Sequence, residues 1–530
     1  MEHKREEVQL QPCQAVDQMH QRRSANYKPN IWKYDFLRSL NNNFDHKEGI
    51  EQRMERLMED VKPMLSKAVD PLAKLELINR MRKMGLSNLF DNEMKEALET
   101  VASTKNGIFD MENHVYTRAL RFRLLRQYGY VVSQDELRSF KEESKIFNRS
   151  NCEDVEAMMQ LLEASHLALE GENILDEGKA FSTGILRERV SSLDGRLLKC
   201  AVHALELPMH WRVQWFDIKW QIDLYEQQED KQSNLLELAK LNFNTVQATH
   251  QRDLIEISRW WRDLGLIEHV DCYEIAHRFQ KNSARKQFTR QNISFLCALG
   301  LSQGPRFSSL RKSLTKVVNF ILVIDDVYDL YGSLEKLECF TSAVTRWDSE
   351  PIQQLPECMK FCFRAFHDVT YEIAHEIGKE EDWHRVLPYF CKALLTEAKW
   401  DHLGYTPSLE EYLSNAWTSS TGPLLLSHAY FFVGHMKLED AAELVESKKD
   451  LIYNASMIIR LCNDLRTSKT KHGKTFVNAE TPFLRPYIDV TVNAARAAHM
   501  IYQSGDGFGV QDGTIGQQML SAVIEPLALD

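Results

Sequence analysis

Apolar residues recur at intervals of three and four along almost the whole chain. Examples are ALRFRLLRQYGY at 119–130 and VEAMMQLLEASHLAL at 155–169. This spacing places apolar side chains on one face of an α-helix, whereas a half-buried strand would alternate them. The chain has only 22 glycines and 14 prolines, the residues that most often interrupt helices. We therefore predict an all-α fold.

One polar run divides this helical pattern. Residues 226–234 carry only charged, amide and hydroxyl side chains, and they separate the apolar-rich segments 218–225 and 235–243. At 530 residues the chain exceeds the roughly 250–300 residues at which single cores stop growing. We predict two helical domains, 1–230 and 231–530. Ser233 or Asn234 is expected to cap the helix that opens the second domain.

Charge and apolar content exclude several classes of protein. A formal net charge of −11 argues against nucleic acid or an anionic membrane surface as the main partner. The longest apolar stretch, 317–324, is far short of the roughly 20 residues that cross a bilayer, so we expect no membrane span. The ten cysteines include no CxxC pair, as is typical of reduced intracellular proteins. The N-terminus is acid-containing and serine-free up to residue 21, unlike a transit peptide, which predicts a cytoplasmic location.

Three carboxylates stand at an unfavourable place for an ordinary helix. Asp325, Asp326 and Asp329 follow the apolar run 320–324, where the negative end of the helix dipole would normally attract basic residues. Asp325 and Asp329 share one helix face. Acidic clusters are often solvated helix ends, but this one ends a run too apolar for a surface helix, so the carboxylates are expected to face a cavity. Hard oxygen ligands in that position suit Mg²⁺ that is also bound by substrate phosphates.

A second polar group follows the apolar stretch 451–459. Asn463 and Thr467 are oxygen donors four residues apart, and Arg460 lies on nearly the same face, where a guanidinium can bind a phosphate oxygen. A polar stripe on an amphipathic helix explains this group equally well when it is taken alone. The combination with the aspartates is much more specific.

Together the two motifs resemble those of class I terpene synthases of the plant branch. Several further stretches are similar to blocks of that family, and together they cover nearly the whole chain: Arg22-Arg23 followed by Trp32, and the segments 170–181, 235–248, 258–266 and 404–417. Three stretches resemble α-farnesene synthases most closely: 22–37, 211–222 and 314–332.

The resemblance implies Mg²⁺-dependent loss of diphosphate from a prenyl diphosphate, with three Mg²⁺ ions expected and Mn²⁺ as a possible substitute. The metal ligands would be Asp325, Asp326, Asp329, Asn463 and Thr467. The second domain would be a helical bundle around the active-site cavity, and the first a relict domain. We expect farnesyl diphosphate as substrate, an acyclic sesquiterpene such as α-farnesene as product, and a monomeric enzyme.

Other roles follow from the same resemblance. Arg460 and Arg290 would bind the leaving diphosphate, and Arg22 and Arg23 would close the N-terminal arm over the cavity. An aromatic, non-nucleophilic wall would surround the carbocation. Its candidates, each of which is equally plausible as an ordinary core aromatic, are Trp417, Tyr502 and Tyr328.

The sequence also departs from the family pattern. Lys471 stands where the Asn/Thr motif would have a glutamate, and a block of several dozen residues is missing after 468. Arg290 is the only match to a paired R-x-R. Two alternatives therefore stay open: a catalytically impaired or inactive homologue, and a monoterpene synthase that uses geranyl diphosphate.

Overall fold

The protein is helical throughout the part that the structure describes. The computed structural model describes residues 34–40, 48–103, 114–138, 152–264, 293–328, 333–347, 351–376, 387–433, 449–467, 485–503, 517–518 and 520–529. Within these ranges every regular element is an α-, 3₁₀- or π-helix, and no strand occurs. The all-α prediction is confirmed. No helix in these ranges is long and apolar enough to cross a bilayer.

The N-terminal half packs short helices against one another. Local sequence explains their starts: Pro71 opens α3 after Asp70, whose carboxylate accepts a hydrogen bond from the Ala73 amide. The helices are α1 (Tyr34–Ser39), α2 (Glu48–Lys67), α3 (Pro71–Lys83), α4 (Ser87–Ser103), α5 (His114–Gln127), α6 (Cys152–Ser165), α7 (Asn173–Arg189), α8 (Gly195–Glu206) and α9 (Gln214–Glu226).

The C-terminal half has longer helices. They are α10 (Ser233–Asp263), α11 (Ser308–Asp326), α12 (Leu334–Arg346), α13 (Glu357–Glu376), α14 (Leu387–Leu403), α15 (Leu409–Ser419), α16 (Gly422–Val433), α17 (Lys449–Thr467) and α18 (Arg485–Tyr502). Residues 293–301 are helical too, and a π-turn covers Leu520–Ile524.

The predicted break between the halves lies between α9 and α10, but its cap differs from the prediction. Gln232, not Ser233 or Asn234, occupies the N-cap of α10, and its side chain makes no capping bond. Its backbone N–H instead donates to the Tyr225 hydroxyl at 2.9 Å. A tertiary partner thus replaces the local cap that the sequence suggested.

The described residues form two hydrophobic cores, and these correspond only approximately to the N-terminal and C-terminal halves of the chain. The first core combines helices α1–α9 with most of the buried face of α10 and with Ala522, Val523 and Leu527 near the C-terminus. The second is built from residues 298–497 together with Val213. Helix α10 therefore lies between the cores and packs against both α2 and α11.

One buried ion pair joins α10 to α11. Arg311 of α11 donates to the Asp253 carboxylate of α10, with an Nε–Oδ2 distance of 2.9 Å, and the two side chains are 0 % and 2 % exposed. Ser308 also donates to Asp253, at 2.6 Å, and Arg311 donates to the Ser302 carbonyl, at 2.6 Å. These bonds fix the start of the helix that ends at the aspartates.

Candidate functional site

Helix α11 carries Asp325 and Asp326 at its C-terminal end, as predicted. It ends at Asp326, and its last turn contains no basic residue that would offset the helix dipole. From Leu310 to Ile321 the helix is buried except at Lys312, whereas Leu322, Val323 and Asp325 are partly exposed. The last turn of α11 is therefore partly accessible to solvent, whereas the turns before it are buried.

Part of the aspartate motif is not described. Asp329 lies outside the described residues, and the structure describes no side chain for Asp326. Within the described ranges, no group of three or more His, Cys, Asp or Glu side chains could hold a metal ion. The metal-ligand roles of the three aspartates stay predictions.

Tyr328 belongs to the core rather than to a cavity wall. It is 5 % exposed, its ring packs edge-on against Phe340 at 6.1 Å, and its hydroxyl lies 2.6 Å from Thr341 Oγ1. Burial raises the pKa of this phenol well above its usual value. Tyr328 also interacts with the Cys391 thiol of α14, and both side chains belong to the second core.

Helix α17 carries the second motif. Asn463 is exposed, and its amide Nδ2 donates to the Tyr502 hydroxyl of α18 at 3.1 Å. Its Oδ1 takes no hydrogen bond from any described residue. The Thr467 side chain is not described, although Thr467 is the last residue of α17. Tyr502 and Trp417 are both half-buried, and the Trp417 ring lies 5.6 Å from that of Tyr453.

Arg460 is the centre of a polar network, here called the Arg460 cluster. Its other members come from three helices: Glu397 of α14, Tyr412, Asn415 and Ser419 of α15, and Asp464 of α17. Arg460 Nε donates to the Tyr412 hydroxyl at 2.8 Å and to Asp464 at 3.0 Å, and Nη1 donates to Glu397 at 3.3 Å. Burial by itself lowers the pKa of Arg460, but the charges of Glu397 and Asp464 outweigh burial and raise it.

The break between α15 and α16 sets the position of α15. Thr421 adopts φ +70°, a costly conformation for a β-branched residue. The next residue, Gly422, lies so close to α17 that a Cβ there would be 2.2 Å from Ser456 Oγ and 2.8 Å from its Cα. Only glycine permits this approach, which brings Ser419 beside Arg460.

Helix α14 interacts with residues near both motifs. Cys391 of α14 is near Tyr328, which follows Asp325 by three residues. Glu397 of α14 accepts a hydrogen bond from Arg460. Six residues of helix span about 9 Å. Tyr328, two residues after the end of α11, and Arg460 of α17 therefore both interact with α14, at positions six residues apart.

Sequence reasoning missed Glu397, Tyr412, Ser419 and Asp464. Glu397 and Tyr412 have no distinguishing local pattern, whereas Asp464 adjoins Asn463 and is four residues from Arg460, which is a detectable i,i+4 pair. Four predicted site residues lie outside the described residues: Arg22, Arg23, Arg290 and Asp329. Lys471 also lies outside them.

Comparison with known proteins identifies both halves of the chain. Residues 31–205 match the model of the terpene synthase N-terminal domain, and residues 267–496 match that of the terpene synthase family metal-binding domain. The predicted boundary at 230/231 falls between the two matched ranges. The domain limits themselves stay predictions.

Named relatives resemble the chain over nearly its full length. An α-farnesene synthase of Ricinus communis is 44% identical, with 98% of each chain covered. An (E,E)-α-farnesene synthase of Malus domestica is 42% identical, over 96% of this chain and 95% of the relative. A chloroplastic α-thujene synthase of Litsea cubeba is 40% identical over 95% and 92%. The Ricinus alignment runs over 569 positions, 39 more than the 530 residues of this chain, so the relative has residues that this chain lacks.

Solved structures agree with these relatives. Isoprene synthase from grey poplar, in complex with three Mg²⁺ ions and dimethylallyl-S-thiolodiphosphate, is 34% identical with a TM-score of 0.79, over 94% of this chain and 99% of that one. Limonene synthase with 2-fluorolinalyl diphosphate is 32% identical with a TM-score of 0.83, over 96% and 100%. With both domain models matched, relatives above 40% identity and neighbours of the same fold, the chain belongs to the terpene synthase family.

Proposed function

We propose that this terpene synthase ionises farnesyl diphosphate with the help of Mg²⁺, releases diphosphate and forms a sesquiterpene hydrocarbon such as α-farnesene. The observation that carries the proposal is the position of α14, which interacts with Tyr328, two residues after the end of α11, through Cys391 and with Arg460 of α17 through Glu397. Two α-farnesene synthases above 40% identity support the substrate and product class.

The described side chains fit a hard divalent cation. Asp325 is partly exposed and supplies a carboxylate, and Asn463 supplies an amide oxygen that takes no hydrogen bond from any described residue. Mg²⁺ prefers such oxygen ligands together with substrate phosphates. When bound, the ion would neutralise charge on the leaving diphosphate. Asp326, Asp329 and Thr467 complete the proposed ligand set.

The remaining roles belong to the protein itself. The Arg460 guanidinium would hold a diphosphate oxygen, and Arg290 would do so from the opposite side. Half-buried Trp417 and Tyr502 would face the carbocation, because aromatic rings stabilise positive charge without trapping it as nucleophiles. Arg22 and Arg23 would close the N-terminal arm over the mouth of the cavity and keep water out.

The test is incubation of the purified protein with farnesyl diphosphate and Mg²⁺, followed by headspace analysis of volatiles and a diphosphate assay. We expect a hydrocarbon that requires both substrate and metal, and we expect Asp325→Ala to lower the turnover by at least about 100-fold, since it removes transition-state charge stabilisation. Asp263→Ala is the matched control, because Asp263 is also an exposed carboxylate at the end of a helix. A folded protein without diphosphate release would overturn the proposal.

A catalytically impaired homologue is the second candidate. Lys471 at the expected glutamate position favours it, as do the alignment positions that this chain lacks relative to the Ricinus enzyme. If the cation at 471 opposes metal binding, Lys471→Glu should raise the diphosphate release rate and lower the Mg²⁺ concentration needed for half-maximal rate. Unchanged metal dependence in that variant would contradict this reading.

The substrate alternative is geranyl diphosphate. It is supported by the 40% identical relative named as a chloroplastic α-thujene synthase. Competition between the two diphosphates in one reaction, with product analysis, decides between them. A cytoplasmic location and a monomeric state are also proposed, and a fluorescent fusion and sedimentation measurements test them.

A further inference from the structure

The Arg460 guanidinium is held on two of its three nitrogens. Nε donates to the Tyr412 hydroxyl and the Asp464 carboxylate, and Nη1 donates to Glu397 at 3.3 Å and to Ser419 Oγ at 3.2 Å. Nη2 makes no hydrogen bond to any residue that the structure describes. Among the described contacts, the two N–H groups of Nη2 are therefore the donors that Arg460 can offer to an anion.

Glu397 is better placed than Asp464 to orient these donors. Asp464 is four residues from Arg460 on the same helix, and it reaches another helix through the hydrogen bond that its Oδ2 accepts from the Tyr412 hydroxyl at 2.6 Å. Glu397 comes from α14, 63 residues earlier in the chain. Its bond to Arg460 ties two helices together.

Glu397 is itself held in place. Its Oε1 also accepts hydrogen bonds from Ser419 Oγ at 2.6 Å and from Asn415 Nδ2 at 3.3 Å, both on α15. The Asn415 amide is anchored in turn to the Ala393 carbonyl of α14 at 3.1 Å. Three donors converge on one carboxylate oxygen, which restricts its side chain to one position. The Glu397 and Arg460 side chains are 27 % and 19 % exposed, so solvent competes only partly with these bonds.

We propose that Glu397 is a positioning residue of the diphosphate-release reaction, which orients Arg460 so that its Nη2 edge meets the substrate diphosphate. The inference rests on the proposed role of Arg460 in binding diphosphate. Glu397 acts through Arg460 and does not itself contact the substrate. A diphosphate bound at Nη2 could thus form charge-assisted hydrogen bonds without displacing the Arg460 cluster.

Two variants of Glu397 distinguish its effect on the orientation of Arg460 from the effect of its charge. Glu397→Gln removes the charge but keeps an acceptor at Oε1, and the Oε2 that becomes an amide nitrogen accepts no hydrogen bond from a described residue. Glu397→Ala removes both charge and acceptor. Because the two variants lose the same charge, the difference between them excludes the charge effect and reports the loss of the side chain and its acceptor.

The primary measurement is binding of inorganic pyrophosphate with Mg²⁺ by calorimetry, which needs no turnover. We expect Glu397→Ala to bind pyrophosphate about tenfold more weakly than Glu397→Gln, and kcat/KM for the prenyl diphosphate to differ by a similar or larger factor. Equal affinities in the two variants would overturn the inference. So would unchanged pyrophosphate binding in Arg460→Ala, because Glu397 would then have no diphosphate ligand to orient.

A matched control tests whether Glu397 only stabilises the fold. Glu338 of α12 forms an exposed ion pair with Lys399 of α14 at 2.8 Å, so Glu338→Ala removes a different contact of the same helix. We expect it to leave pyrophosphate binding unchanged. If both Glu397 variants instead lower the unfolding temperature equally without changing pyrophosphate binding, Glu397 only stabilises the fold and the inference fails. Absence of turnover with intact pyrophosphate binding would contradict the proposed function alone.

Discussion

At the scale of single residues, burial decides which titratable groups carry charge. His428 on α16 is 4 % exposed, and its Nδ1 lies 2.6 Å from the Leu424 carbonyl oxygen, an acceptor that requires this nitrogen to be protonated. Burial lowers the pKa of His428 to about 4, and it lowers the pKa of His210 and His250 well below the usual value. These side chains are neutral in the folded protein near neutral pH.

The pH dependence of stability follows from His428. Its folded pKa of about 4 is below the unfolded value of 6.5, so only the unfolded state gains its proton between those pH values. The free energy of unfolding should therefore fall as the pH is lowered from 6.5 towards 4, by about 2 kcal/mol at pH 5 from this group. His428→Gln should lose less stability than the wild type between pH 7 and pH 5 in urea unfolding.

The control for this pH effect is His402→Gln, which changes an exposed histidine on α14. It should lose as much stability on acidification as the wild type. His210, His250 and the carboxylates are present in all three proteins, so their contributions cancel in the comparison. Identical pH dependence in His428→Gln and the wild type would show that folding does not lower the pKa of His428.

At the scale of helices, the contact between α16 and α17 fixes the Arg460 cluster. Gly422 allows α16 to approach Ser456 of α17, and this contact follows the break at Thr421. The helical pattern of the sequence covers both sides of this break, but it does not predict that α16 lies so close to α17. Glycine is common near the start of a helix. Gly422 is necessary because its backbone lies against Ser456, which is 34 residues later in the chain.

Gly422→Ala should destabilise the protein. Its new Cβ would lie 2.8 Å from the Ser456 Cα, so the helices must separate at a cost of about 1–3 kcal/mol. Gly184→Ala on α7 is the matched control, because no atom lies within 4 Å of a Cβ built there. Replacing that helical glycine should stabilise the protein by up to about 1 kcal/mol. Thermal unfolding of both variants checks the opposite signs, and similar shifts would contradict the close contact.

At the scale of the whole molecule, α10 couples the two cores. Its buried face belongs mainly to the first core, yet its Asp253 pairs with Arg311 of α11, the helix that carries the aspartates. A buried ion pair of this kind is costly to break, because removing one partner leaves the other charge unpaired. Helix α10, which packs mainly into the first core, therefore also supports the position of α11 through this contact.

Asp253→Ala should lower the free energy of unfolding by about 3–5 kcal/mol, because it leaves the Arg311 guanidinium buried without a carboxylate. Glu256→Ala removes an exposed ion pair between the same two helices, with Lys312 at 2.8 Å, and should cost at most about 1 kcal/mol. Chemical denaturation of both variants gives the comparison. Equal losses would show that burial does not set the strength of this coupling.

The sequence by itself determined the helical class, the break near 226–234 and the aspartates at the end of α11. These three features depend on the spacing of apolar residues and on the polar and charged residues within short segments. The order of neighbouring residues therefore predicts them. The family resemblance, which the comparisons confirmed, rests on the same local motifs.

Only the tertiary structure decided which side chains surround each of the two motifs. It placed Tyr328 in the core, used Gln232 instead of Ser233 at the start of α10, and surrounded Arg460 with Glu397, Tyr412 and Ser419. These contacts join different helices, in the case of Arg460 helices that are dozens of residues apart, and their geometry depends on packing that no local pattern records. Sequence spacing therefore predicts which side chains share a helix face, whereas the fold determines which faces meet.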